Sequence, residues 1–133
     1  MTEPGKRERE IYIINSISPK WILNDIRTVE AVINIHKRKP ITTVLCDKLQ
    51  SRTDSPYPSV GRYCQDNKIR LITRKENQSI DDFLKERVME PKYSEDRDLY
   101  VYITSEKDIN VLDKISRDIL RSDIFVELVR IYP

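Results

Sequence analysis

The chain has 133 residues, enough for one packed domain and too few for two. Apolar residues make up 38% and charged residues 35%, with acids and bases interspersed and a formal net charge of +2, which excludes nucleic-acid binding by bulk charge alone. Two cysteines and the single histidine, His36, give no zinc-ligand spacing, and no apolar run approaches the roughly 20 residues of a membrane span. The expectation is a cytoplasmic protein with a flexible N-terminus over residues 1–9 and a single domain over residues 10–133.

The run from Glu10 to Ile17 is almost continuously apolar, the pattern of a strand buried on both faces. Ser18 has N-cap chemistry and Pro19 suits the first helical position. Ile22, Ile26, Val29 and Ile33 then mark one helical face, which ends in the basic stretch from His36 to Lys39 and is stopped by Pro40. A second strand spans Ile41 to Cys46 and ends at Asp47, with Cys46 read as a small buried hydrophobe. Lys48 to Pro58 has no period and reads as a surface loop.

Tyr57 to Asn67 reads as a short helix with Val60 and Cys64 on one face, leading into a third strand from Ile69 to Thr73. Ser79 caps a helix carrying Ile80, Phe83, Leu84 and Val88, ended by Pro91, and a charged loop from Lys92 to Asp98 follows. Leu99 to Thr104 is a β-branched and aromatic strand. The turn from Ser105 to Asp108 feeds a helix whose apolar face is Ile109, Leu112, Ile115 and Ile119. The last strand runs from Phe125 to Ile131, and its apolar composition at a sheet edge suits pairing with a second copy as a homodimer.

Four strand-helix units closed by a fifth strand imply an α/β three-layer sandwich with a mostly parallel five-stranded sheet. The only glycines are Gly5 and Gly61, so both the dinucleotide fingerprint and the Walker A loop are absent. In a parallel sheet the carboxyl ends of the strands share one edge, where ligands of this fold class bind. That edge gathers Asn15, Ser16, Asp47, Thr73, Arg74, Thr104, Ser105, Glu106 and Asp108, with Asp81 and Asp82 beginning the following helix. Clustered carboxylates suit Mg²⁺ or Mn²⁺, hard cations that take oxygen ligands and assist phosphodiester hydrolysis.

The stretches Val44 to Asp47, Ile69 to Thr73 with Ser79 to Leu84, and Tyr102 to Ile109 resemble the PIN-like nucleases, especially their NYN branch. In that family an Ala-Asp-Asp helix start follows the third strand, and the fourth strand ends in Thr-Ser-Asp with a second aspartate after it. The resemblance implies a PIN-like, Rossmann-like fold and a metal-dependent endoribonuclease. Its acids would be Asp82 (or Asp81), Glu106 and Asp108, with Asn15 at the end of the first strand and Asp47 as a further metal ligand. Arg74, Lys75 and Lys107 would contact RNA beside them. Asn15 stands where the family has an aspartate, and Glu106 also replaces one, which points to the alternative of a non-cleaving module that binds RNA or a protein partner.

A plainer reading competes for each residue. Ser79 with Asp82, and Ser105 with Asp108, each place an acid three residues after a serine, the arrangement of a helix cap. Asp47 suits the end of a strand, Arg74 and Lys75 a solvated face, and His36 the end of a helix. A receiver-like or flavodoxin-like regulatory domain shares the same alternation of elements.

Overall fold

The computed structural model describes residues 9–16, 25–47, 59–88, 97–121 and 124–131. In chain order the elements are β1 (Arg9–Ser16), α1 (Ile26–Arg38), β2 (Thr43–Cys46), α2 (Val60–Asp66), β3 (Arg70–Thr73), α3 (Ile80–Val88), β4 (Asp98–Thr104), α4 (Ile109–Leu120) and β5 (Phe125–Ile131). The sheet has five strands in the order β3-β2-β4-β1-β5, and every pairing is parallel. The expected α/β three-layer class is therefore observed. The order is neither the 3-2-1-4-5-6 of Rossmann sheets, which corrects the Rossmann-like part of the expectation, nor the 2-1-3-4-5 of flavodoxin-like and receiver-like sheets: β4 rather than β1 is the neighbour of β2.

The layers follow from the direction of each crossover. The connections from β1 to β2 and from β2 to β3 move toward one edge of the sheet, while those from β3 to β4 and from β4 to β5 move toward the other. Right-handed crossovers must then place α1 and α2 on one face and α3 and α4 on the opposite one. The core divides accordingly. Tyr12, Ile14, Val44, Cys46, Val101 and Ile103 pack with Val29, Val32 and Ile35 of α1 and with Val60 and Cys64 of α2. Ile11, Ile13, Leu45, Tyr100 and Tyr102 pack with Phe83 and Leu84 of α3 and with Leu112, Ile115 and Ile119 of α4. Alternate residues of β1 and β4 feed alternate cores, so both strands are buried on two faces and read as continuous apolar runs.

Boundaries differ from expectation where a side chain decides them. The first helix begins at Ile26, because Asp25 is its N-cap and accepts from the Arg27 backbone N–H at 2.9 Å; Ser18, Pro19 and Ile22 lie outside the described residues. β1 starts at Arg9, whose guanidinium lies 3.8 Å from the buried Asp98 carboxylate. The second strand starts at Thr43, since Thr42 instead bonds Leu99 through both its backbone and its hydroxyl. The short helix starts at Val60 with Ser59 as its cap. The expected loop from Lys48 to Pro58 and most of the loop from Lys92 to Asp98 lie outside the described residues.

At the amino edge of the sheet, buried Glu10 receives Lys39 at 2.9 Å and Arg97 at 3.0 Å, tying the end of α1 and the start of β4 to β1. His36 turns away from its helix, and its Nδ1 accepts the Ile41 backbone N–H at 3.0 Å while its ring meets Tyr63 edge-on. β5 lies at a sheet edge, as expected, paired only with β1 among the described residues. No helix among the described residues is long and apolar enough to cross a membrane.

Both cysteines are free and buried in the α1 and α2 core. Burial raises the pKa of the Cys46 thiol and pushes that of Cys64 up to about 12, so at neutral pH neither is a nucleophilic thiolate. Both thiols are expected to stay unmodified by an aromatic disulfide reagent in the native protein and to react promptly in denaturant. Phe83, fully buried against Tyr102, is the most informative packing probe: Phe83→Ala should lower stability by about 3–5 kcal/mol in urea titration.

Candidate functional site at the carboxyl edge

The period of a strand brings the polar groups together. Residues 11, 13, 45, 100 and 102 face α3 and α4, so two residues further on Asn15, Asp47 and Thr104 lie on the same side at the carboxyl ends of their strands. The register supports this, with Asn15 opposite Thr104 and Cys46 opposite both Ile103 and Thr73.

Asp47 is the centre of this group. It is buried, and one carboxylate oxygen accepts the Tyr102 hydroxyl and the Arg74 Nε, the latter at 2.7 Å, while the other accepts the Thr104 hydroxyl at 2.8 Å. Burial, followed by the charge of Asp47, raises the pKa of Tyr102, so the phenol stays protonated and remains a donor. Burial alone would lower the pKa of the Arg74 guanidinium, but bonding and attraction to Asp47 outweigh it and raise the value. Arg74 also donates from Nη1 to the Gln78 carbonyl, which folds it over the start of α3.

Thr104 passes the network onward. Its hydroxyl donates to Asp47 and accepts the Glu106 backbone N–H at 3.1 Å. Glu106 in turn accepts the Asp108 backbone N–H at 3.0 Å, and Asp108 accepts the Asn110 N–H at 3.0 Å as the N-cap of α4. Asn15 donates from Nδ2 to the Glu106 carbonyl at 2.8 Å and sits at 3.4 Å from the Thr104 carbonyl. Its buried Oδ1 has no hydrogen-bond partner among the described residues.

The expected acids therefore have unequal positions. Asn15, Thr104 and Glu106 come together, and Asp47 joins them through Thr104. Asp82 and Asp108 sit exposed at the starts of α3 and α4. The Ser79 hydroxyl oxygen accepts the Asp82 backbone N–H at 3.1 Å, as its capping spacing implied. Ser105 is not the cap of α4; Asp108 takes that position itself, because the bonds through Thr104 and Glu106 keep the chain extended until Asp108. Among the described residues no three histidine, cysteine, aspartate or glutamate side chains converge to hold a metal ion. The four-residue metal set does not fit this arrangement.

Beside the network a cleft of about 500 Å³ opens between α3 and α4, lined by Arg74, Ser79, Ile80, Asp81, Glu106, Val111, Lys114 and Ile115. Of the expected site residues, Arg74 and Glu106 reach it, and Asp81 rather than Asp82 is the acid of α3 that does. One Asp81 oxygen pairs with Lys85 at 3.0 Å, and the other is buried without a hydrogen-bond partner among the described residues. Lys75 and Lys107 stand exposed in the loops after β3 and β4, on the same edge. Tyr102 and Lys114 were not expected here from the sequence, and Ser79 was expected only as a helix cap. Tyr102 was legible as a neighbour of Thr104 on one face of a strand, whereas Lys114 carries no local signal.

No family model matches the chain, and neither the curated proteins nor the solved structures compared with it include a significant match.

Removing Asp47 leaves the partly buried Arg74 without its counter-charge and Tyr102 and Thr104 without their acceptor, so Asp47→Ala is expected to cost about 2–4 kcal/mol in chemical denaturation. Asp108→Ala, which loses one cap, should cost about 1 kcal/mol. Equal costs for the two variants would contradict the central place given to Asp47.

Proposed function

We propose that this chain is a PIN-like module that binds RNA at the carboxyl edge of its sheet without cleaving it. The observation that carries the reading is how few of the expected acids reach the cleft, where Asp81 and Glu106 stand beside Arg74 and Lys114. Asp47 is engaged by Tyr102, Thr104 and Arg74, and Asp82 and Asp108 lie at helix starts outside the cleft lining. The cations Arg74 and Lys114 line the cleft, and Lys75 and Lys107 are exposed in neighbouring loops. Phosphate contacts from lysine and arginine supply the sequence-independent part of RNA affinity, and they need no high net charge when they are local.

A second reading is a Mg²⁺- or Mn²⁺-dependent ribonuclease, favoured by the presence of Asp81 and Glu106 in one cleft. Mg²⁺ is commonly held by one or two carboxylates together with substrate phosphates. In that reading Asp81 replaces Asp82 as the acid of α3.

Fluorescence anisotropy with a mixed single-stranded RNA pool, in EDTA and then in Mg²⁺ or Mn²⁺, separates the two. The expected result is salt-sensitive binding with intact RNA in all conditions, and a shallower salt dependence, by about one unit of slope, for Lys75→Glu or Lys107→Glu. Metal-dependent cleavage that disappears in Glu106→Gln would establish the nuclease instead. Absence of binding in every condition would reject both.

A further inference from the structure

The cleft between α3 and α4 sets two cations and two acids beside apolar side chains, and we infer that it receives the terminal phosphate of an RNA strand rather than a run of internal nucleotides. This inference rests on the RNA-binding reading and specifies which part of the strand the cleft holds.

Arg74 supplies the fixed cation. Asp47 holds its Nε and the Gln78 carbonyl holds Nη1, so the guanidinium plane is set before any ligand arrives. A guanidinium has more N–H donors than these bonds consume, and Arg74 lines the cleft. Lys114 reaches the same cleft from α4, largely exposed and only 3.9 Å from Asp118 at its nearest, a separation too long to immobilise it. Together they offer an oriented fork and a movable point charge, the pair of donors that suits a phosphate with several free oxygens.

The acids limit how much of a polyanion can enter. Asp81 and Glu106 line the cleft alongside the cations. A strand threading through would carry its neighbouring phosphates past one or other carboxylate, at a partly buried site where repulsion is weakly screened. A strand end has a neighbour on one side only. Its phosphomonoester also has three free oxygens, against two on an internal diester, and so offers one more acceptor to the donors of Arg74 and Lys114. Ile80, Val111 and Ile115 provide an apolar wall for the terminal sugar or base, and about 500 Å³ is the size of a small-ligand site.

The test uses the whole chain and three short oligouridines labelled at an internal position: one with a 5′-phosphate, one with a 3′-phosphate and one with hydroxyls at both ends. Anisotropy titrations run in EDTA. One phosphorylated strand should bind about tenfold more tightly than the hydroxyl-ended strand, the effect of one added charged hydrogen bond, and which one it is assigns the end. In Lys114→Glu this preference should vanish while far-UV circular dichroism and the melting temperature stay unchanged, as expected for an exposed side chain. Equal binding of all three strands would overturn terminal recognition and leave RNA binding standing. A preference that survives in Lys114→Glu would also overturn it, because the phosphate would then be held elsewhere. No binding by any strand would overturn the RNA reading and this inference together.

Discussion

The carboxyl edge of this protein depends on one buried carboxylate. Asp47 closes β2, and three donors from two other parts of the chain converge on it: Tyr102 and Thr104 from β4, and Arg74 from the segment after β3. A buried carboxylate is costly without partners; with a guanidinium and two hydroxyls Asp47 has charge balance and bonded oxygens. The consequence is mechanical as well as electrostatic. β2, β3 and β4 are adjacent in the sheet, and the polar cross-links hold their ends in register where the ladder bonds stop.

From Thr104 onward the chain is guided by side chains bonded to backbone. Thr104 holds the Glu106 N–H, Glu106 holds the Asp108 N–H, and Asp108 holds the Asn110 N–H, while Asn15 anchors the Glu106 carbonyl from β1. These bonds explain why acids sit at this edge without any catalytic demand. Each satisfies a donor that the end of a strand or the start of a helix leaves open. The charged side chains that line the cleft are therefore a smaller set than the sequence suggests: Arg74, Asp81, Glu106 and Lys114.

The fold was legible because apolar patterning is a local property that survives folding. Continuous runs in β1 and β4 announced strands covered on both faces, and helical spacing in α3 and α4 announced their inward sides, whereas α1 buries Thr28, Val29, Val32 and Ile35 and leaves Ile26 of the expected face exposed. Strand order was not legible, since nothing local tells β1 that its neighbours are β4 and β5. The site was legible in part. Asn15, Asp47, Arg74 and Glu106 were found from their places at strand ends, but sequence spacing alone could not separate Asp81 from Asp82 in the first turn of α3. Ser105 and Asp108 show the same limit: a serine followed by an acid three residues later fits a cap, and only the bonds made by Thr104 and Glu106 move the helix start to Asp108.

The position of β1 has a consequence for how the chain is made. β1 precedes the other elements described, is buried almost throughout, and among the described residues pairs with β4 and β5, so Asn15 waits for Thr104 and Ile14 for Val129. Emerging from a ribosome, the chain can form α1, β2, α2 and β3 from local material while β1 has neither of its partner strands to pair with. Closure of these long loops makes assembly of the sheet a late and slow event, and the exposed apolar segment during that interval is the point at which a holding chaperone would act.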